Sequence, residues 1–313
     1  MIALVLLLLM FTGVAVWRCY RLERLARTRF NLDDGCRVLV LGDSHADSAF
    51  VEDKKLGIRI AGRHSSPMNV TLMRLKEIER RGALKSVRFC VVNLCHTSVM
   101  PWTYEQQQDA VWNFLPYALR YKEWIPVSGI RLFLLLADQT LHYPENTPDL
   151  VCTPAEYSPR PSLLERSEQE VQSDLSVCLK RHFSWDSKAD DIIPNWRESL
   201  KAVIVEMKNV CDRNGVKLVF FSAPLSQAYR ANIPEWAKDN LDGWILFVRS
   251  LGVPYFDYSS ACGDDMLRDC NHVRLQCARE FSSRFCYEAL RWTGETLSPP
   301  RKGMRELRCG EKL

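Results

Sequence analysis

The sequence predicts an α/β fold: a flavodoxin-like three-layer α/β/α sandwich with a mostly parallel five-stranded sheet, preceded by an N-terminal transmembrane helix. Three observations predict it. Short apolar runs, rich in β-branched residues, recur near 38–41, 58–61, 87–94, 216–221 and 253–256, and they read as buried strands. Segments with apolar residues at helical spacing separate most of these runs, and strand–helix–strand alternation is the rhythm of a parallel sheet. Residues 1–17 carry no charged side chain, and a helix rising about 1.5 Å per residue just spans, or slightly under-spans, a bilayer core at that length.

Residues 1–17 lack the basic start and small-residue cleavage site of a signal peptide, so an uncleaved anchor is expected, with Trp17 and Tyr20 at the interface. Residues 18–35 form a basic juxtamembrane linker, whose flank as far as Arg29 carries Arg18, Arg21, Arg24, Arg27 and Arg29 against only Glu23. The α/β domain then occupies 36–294. Its first strand (38–41) runs into Gly42-Asp43-Ser44-His45, and a short second strand follows at 58–61. Pro67 opens a helix that carries Val70, Met73, Leu75 and Ile78 as far as Arg81, where Gly82 closes it. The third strand (87–94) ends near Asn93 and His96.

Residues 97–192 read as an insertion over the top of the sheet. Within it, 127–141 is too short, and too charged at Arg131 and Asp138, for a second membrane span, so a core or capping helix is expected. The Pro-, Ser- and Glu-rich stretch 143–173 reads as a surface excursion, with His142 and His182 as surface residues. Regular pattern returns at 193. Leu200, Val203, Ile204, Met207, Val210 and Cys211 keep helical spacing until Asn214-Gly215. A strand at 216–221, a helix at 236–251, a strand at 253–256 and a last helix at 275–292 complete the domain. The sheet order expected is 2-1-3-4-5. A basic, solvated tail covers 295–313.

Composition removes several function classes. A net charge of +4, with no basic stripe carrying interleaved aromatics, argues against nucleic acid as a partner. Twelve cysteines occur without one C-x-x-C pair, and the nearest cluster, Cys90, Cys95 and His96, has no common zinc spacing. The cysteines are expected to be mostly small core residues, with some disulfides open in an oxidising compartment. No nucleotide, flavin or metal motif is present, so no cofactor and no metal are expected.

A strand that ends at Gly42-Asp43-Ser44 delivers a hydroxyl to the carboxyl edge of the sheet, where open α/β folds bind ligands. A serine there either caps the next helix or acts as a nucleophile. Nucleophilic use needs a base, and the chain holds six histidines. One of them, His272, lies between the last strand and the last helix in Asp269-Cys270-Asn271-His272. Acid and imidazole three residues apart can share one face of a turn. Asp269 can then hold Nδ1–H and leave Nε2 toward Ser44. Asp43 is expected to fix its loop through backbone N–H groups. His45 reads as a neighbour of the site, and His64 and His96 as further side chains that could line it.

Gly42-Asp43-Ser44 and Asp269-x-x-His272 resemble the nucleophile and base blocks of the SGNH (GDSL-type) hydrolase superfamily, and the run Cys277-Ala278 to Phe281-Ser282 resembles its base helix. The His45 variant and the anchor are similar to a membrane-attached branch related to enzymes that acetylate or deacetylate cell-envelope polysaccharides. The resemblance implies Ser44 as nucleophile, His272 as base and Asp269 as its orienter. It also implies an oxyanion hole from the Ser44 N–H, a glycine N–H (Gly62 being nearest) and the Asn93 side chain. Arg63-His64-Ser65-Ser66 and Asn93-Leu94-Cys95-His96 depart from the family's corresponding blocks.

The activity expected is ester chemistry through an acyl-enzyme, by an esterase or an O-acyltransferase. Its partner would be acylated carbohydrate or another ester, and the anchor would attach it to a membrane. A non-catalytic glycan-binding or assembly module is the alternative. The resemblance favours a periplasmic domain, whereas the arginine flank favours the cytoplasmic side.

Overall fold

Val38-Leu39-Val40-Leu41 is buried at every position, as a central parallel strand must be when helices cover both of its faces. A computed structural model of the chain describes residues 35–62, 66–100, 162–183 and 195–292, with scattered positions between 12 and 32 and Glu123. Its strands are β1 (Val38–Leu41), β2 (Ile58–Ile60), β3 (Phe89–Asn93), β4 (Lys217–Ser222) and β5 (Tyr255–Asp257). All four pairings are parallel and the order is β2-β1-β3-β4-β5, the order expected.

Among the described residues the helices in chain order are α1 (Ser44–Ala49), α2 (Met68–Arg80), α3 (Glu168–Phe183), α4 (Trp196–Arg213), α5 (Gln227–Ala231), α6 (Glu235–Ser250) and α7 (Leu275–Trp292). Alternation along the strands decides which helices cover which face. Leu39, Leu41, Cys90, Val92, Leu218 and Phe220 pack with the apolar sides of α2, α4 and α6. Val38, Val40, Phe89, Val91, Val219 and Phe221 pack with α1, Phe50 and α7. Three layers result. Pro67 stands at the N-cap of α2, and the expected stops Gly82 and Gly215 both have φ of +68°.

The packed body begins before residue 36. Phe30 is buried in the core, and Glu23 accepts a hydrogen bond from Arg81 at 2.9 Å, so the basic segment touches the domain at these two points. Among the described residues no helix is long and apolar enough to cross a membrane. Nearly all of 1–17, together with His64, the helix expected over 127–141, His142 and the tail 295–313, lies outside the described residues.

Two expectations for the insertion are corrected. The stretch read as a surface excursion is helical from Glu168 onward, in α3. His182, read as a surface residue, is buried. The signal was present: Leu175, Cys178, Leu179, His182 and Phe183 repeat at i, i+3, i+4, i+7 and i+8, one helix face. Leu175, Cys178, Leu179 and Phe183 of that face belong to a third cluster with Met100, Leu225, Tyr229 and Ile233, which docks α3 onto α5 beside the carboxyl edge of the sheet. At five residues, α5 is too short to show a period in sequence.

Candidate active site

The turn after β1 needs glycine. Gly42 has φ of +132°, and a Cβ on it would lie 3.1 Å from the Asn93 Cβ and 3.2 Å from the Ala46 Cβ. Asp43 then caps α1, its Oδ1 accepting the His45 N–H at 3.0 Å. The cap is therefore Asp43, and the Ser44 hydroxyl is left for other work. The Ser44 N–H is a first-turn amide, of the kind that no intrahelical carbonyl takes. Gly42→Ala should lower unfolding free energy by about 1–3 kcal/mol, from backbone strain plus overpacking. Urea denaturation measures this, and an unchanged midpoint would show that the turn tolerates a side chain.

His272, the expected base, comes from the loop before α7. The Arg268 N–H donates to the His272 carbonyl at 3.0 Å, and Leu267 pairs with Val273, so the loop is pinned on both sides of the acid. The Asn271 N–H donates to Asp269 Oδ1 at 3.1 Å. His272 Nδ1 lies 2.8 Å and 3.0 Å from the two Asp269 oxygens, and His272 Nε2 lies 2.9 Å from Ser44 Oγ. An ionised carboxylate can only accept, so Nδ1 carries the proton and the Nε2 lone pair faces the hydroxyl.

The electrostatics support this assignment. Burial pushes the Asp269 carboxyl up, but the His272 ring, the Asn271 N–H and Arg268 outweigh it and hold it at about 2. Asp269 is therefore ionised throughout the neutral range. Burial also drives the His272 imidazole below its ordinary value; Asp269 pulls the other way, while His45 and Arg268 add to the lowering. His272 is thus neutral at neutral pH, the state in which Nε2 can accept a proton.

The other expected site residues divide. Gly62 packs beside the Gly42–Ser44 turn, where a Cβ on it would lie 3.1 Å from the Gly42 carbonyl oxygen. Asn93 is buried at the end of β3. Its Nδ2 group donates to Asp43 Oδ1 at 3.0 Å and to Cys95 Sγ at 3.2 Å, which commits both N–H bonds, while its Oδ1 is buried without a partner. Asn93 therefore props the cap of α1 instead of offering N–H to an oxyanion. His96 meets the ring of Phe183 with centroids 6.4 Å apart, and burial, aided by Lys238 and opposed by Asp257, holds its pKa down at about 4.

His45 lies beside the Ser44–His272 pair as the packing and hydrogen-bonding neighbour expected. Its ring stacks on His272, with centroids 5.1 Å apart and planes 13° from parallel. Sequence reasoning missed two of the residues around it. Asn271 faces His45 Nε2 at 3.1 Å. His182, whose Nδ1 lies 2.7 Å from the Tyr229 hydroxyl, brings its ring to 6.4 Å from that of His45.

Seven of the nine described cysteines are buried, in keeping with small core residues. Cys90, once grouped with Cys95 and His96, points into the α2–α4 face of the core. Asp43, His45 and Cys95 do bring one ligand-type atom each within 4.8 Å of one another. In that group Asp43 Oδ1 already accepts from the His45 backbone N–H and from Asn93, and it faces His45 Nδ1 at 3.1 Å. The arrangement is that of a hydrogen-bonded support under the Gly42–Ser44 turn.

No protein-family model matches this chain, and no curated protein matches it either.

Proposed function

We propose that the protein is a serine hydrolase or O-acyltransferase of the kind the two end blocks resemble, working on acylated carbohydrate or a related ester. The supporting observation is the unbroken hydrogen-bonded chain from Ser44 Oγ through His272 to Asp269. Ser44 Oγ attacks the ester carbonyl carbon while His272 Nε2 takes its proton, giving a tetrahedral adduct. Asp269 stabilises the imidazolium. The proton then passes to the departing alkoxide, leaving an acyl-Ser44. Water or a sugar hydroxyl, deprotonated by the same nitrogen, releases the acyl group: water makes an esterase, a sugar a transferase. No cofactor is required by this chemistry. In this reading residues 1–17 tether the domain to a membrane, and the domain works in the periplasm.

One observation favours a rival reading. The Asn93 N–H bonds are committed to Asp43 and Cys95, so the developing oxyanion has backbone donors and no amide from that side chain. A lost donor of this kind costs about 3 kcal/mol of transition-state stabilisation. A glycan-binding module that keeps the fold is the alternative. A fluorophosphonate probe separates the two on the full-length chain. Labelling that disappears in Ser44→Ala, with hydrolysis of p-nitrophenyl acetate lost beside it, supports the enzyme. Equal labelling of both forms, or none of either, sinks it.

A further inference from the structure

The base is not the only imidazole held by a carboxylate in this site. Asp43 and His45 form a second such pair, and the two rings lie face to face. His45 is buried and held at three points. Nδ1 meets Asp43 Oδ1 at 3.1 Å, Nε2 meets the Asn271 amide at 3.1 Å, and the His45 backbone N–H donates to the same Asp43 oxygen at 3.0 Å. Neither nitrogen of His45 is directed at Ser44, so this ring does not exchange the reaction's proton. Its contact with the chemistry is through its face.

We propose that His45 is a positioning residue: an imidazolium clamped between Asp43 and Asn271, which fixes the ring plane of His272 and keeps that base unprotonated. The inference rests on the serine-hydrolase reading for its consequence, though not for its geometry. A cation against the face of a neutral aromatic ring is attractive, and two cations face to face repel. The stack therefore favours the state in which His272 can accept the serine proton.

The surrounding groups fit an imidazolium. His45 faces Asp43 in its own turn, Cys95 beyond β3, His182 on α3, and Asp269 and His272 in the loop before α7. Burial opposes its charge, but Asp43, with Cys95 and Asp269, outweighs burial and raises it to about 10. His182 stays neutral, because burial together with the His45 and His272 rings lowers it to about 3. Facing His272 are Asp269 and Arg268 in its own loop, His45 and Asp43 from the nucleophile turn, and His182 from α3. Asp43 offsets part of the His45 charge without removing the direct ring contact. Asn271 can present either end of its amide to Nε2: nitrogen to a neutral ring, oxygen to an imidazolium. Its Oδ1 is buried without a partner as the amide stands, so turning the amide over gives that oxygen the imidazolium N–H.

Two measurements on the full-length chain test this. Selective nitrogen-15 labelling of histidine reads ring protonation directly. The expected result is His45 protonated at both nitrogens up to at least pH 8.5, above the ordinary histidine range, and His272 protonated only below it. A neutral His45 at pH 7 overturns the proposal in the unmodified protein, where folding of a variant is not in question. His45→Phe keeps a ring on His272 and removes the charge. The His272 titration, and the acid limb of kcat/KM for p-nitrophenyl acetate with it, should move up by about one pH unit. A limb that stays put while kcat falls would show a merely structural role and end the proposal. If the chain hydrolyses nothing, the serine-hydrolase reading fails alone, because the two imidazole titrations still decide whether His45 controls His272.

Discussion

Asp269→Asn is expected to lower kcat/KM for p-nitrophenyl acetate by about 10⁴-fold, and His272→Ala by about 10⁶-fold. The reason lies in the tautomer. The Asp269 oxygens sit 2.8 Å and 3.0 Å from His272 Nδ1, and an ionised carboxylate holds a proton on that nitrogen. An asparagine can turn its NH₂ toward Nδ1, which puts the imidazole proton on Nε2 and aims an N–H at Ser44 Oγ where a lone pair is needed. A loss of 10⁴ corresponds to about 5.5 kcal/mol of barrier. It should fall on kcat, since the tautomer acts in the proton-transfer step. Steady-state kinetics with active-site titration check it. Because burial lowers His272, the wild-type acid limb should lie below the ordinary histidine value, with activity lost only as pH falls through the lowered pKa. A limb above pH 7 would contradict the assignment of His272 as base.

Phe50→Ala should cost about 3–5 kcal/mol of folding stability, a large share of the 5–15 kcal/mol typical of a whole domain. Phe50 follows α1 directly and is fully buried. Its ring meets Phe221, Phe281 and Phe285 edge-on, at centroid distances of 5.3, 5.4 and 5.1 Å. Truncation removes one ring from a four-ring contact that joins β4 to α7 and leaves a cavity the helices cannot readily fill. The next residue is tied to α7 as well, the Val51 N–H donating to Ser282 Oγ at 2.9 Å. Weakening Phe50 therefore loosens the helix that carries Ser44. Urea unfolding checks this against Leu246→Ala at an exposed position of α6, where the change should stay within about 0.5 kcal/mol. Equal losses in the two variants would rule out the packing account.

The correct readings and the missed ones have different physical origins. Strand runs and helix faces leave a period along the chain, so the five strands, their order and α7 could be read from 38–41 and its successors. The Ser44, His272 and Asp269 set could be read too. Its acid and base lie three residues apart, and each block stands where an element ends. Helix α3 had a readable stripe that was masked by the Pro-, Ser- and Glu-rich composition before it.

What the sequence determines alone is thus the sheet, helices α2, α4, α6 and α7, and the two blocks that carry the candidate triad, because each leaves its pattern in residues near one another in the chain. What only the tertiary structure decides is how those blocks are supported. His45 and Asn271 stand 226 positions apart and meet at 3.1 Å. Asn93, placed by resemblance at the oxyanion, turns its N–H bonds to Asp43 and Cys95. His182 enters the site from α3. Such contacts have no period and no fixed spacing. They are set by which buried polar groups find partners once the sheet edge has closed, since leaving one unpaired costs about as much as a lost hydrogen bond.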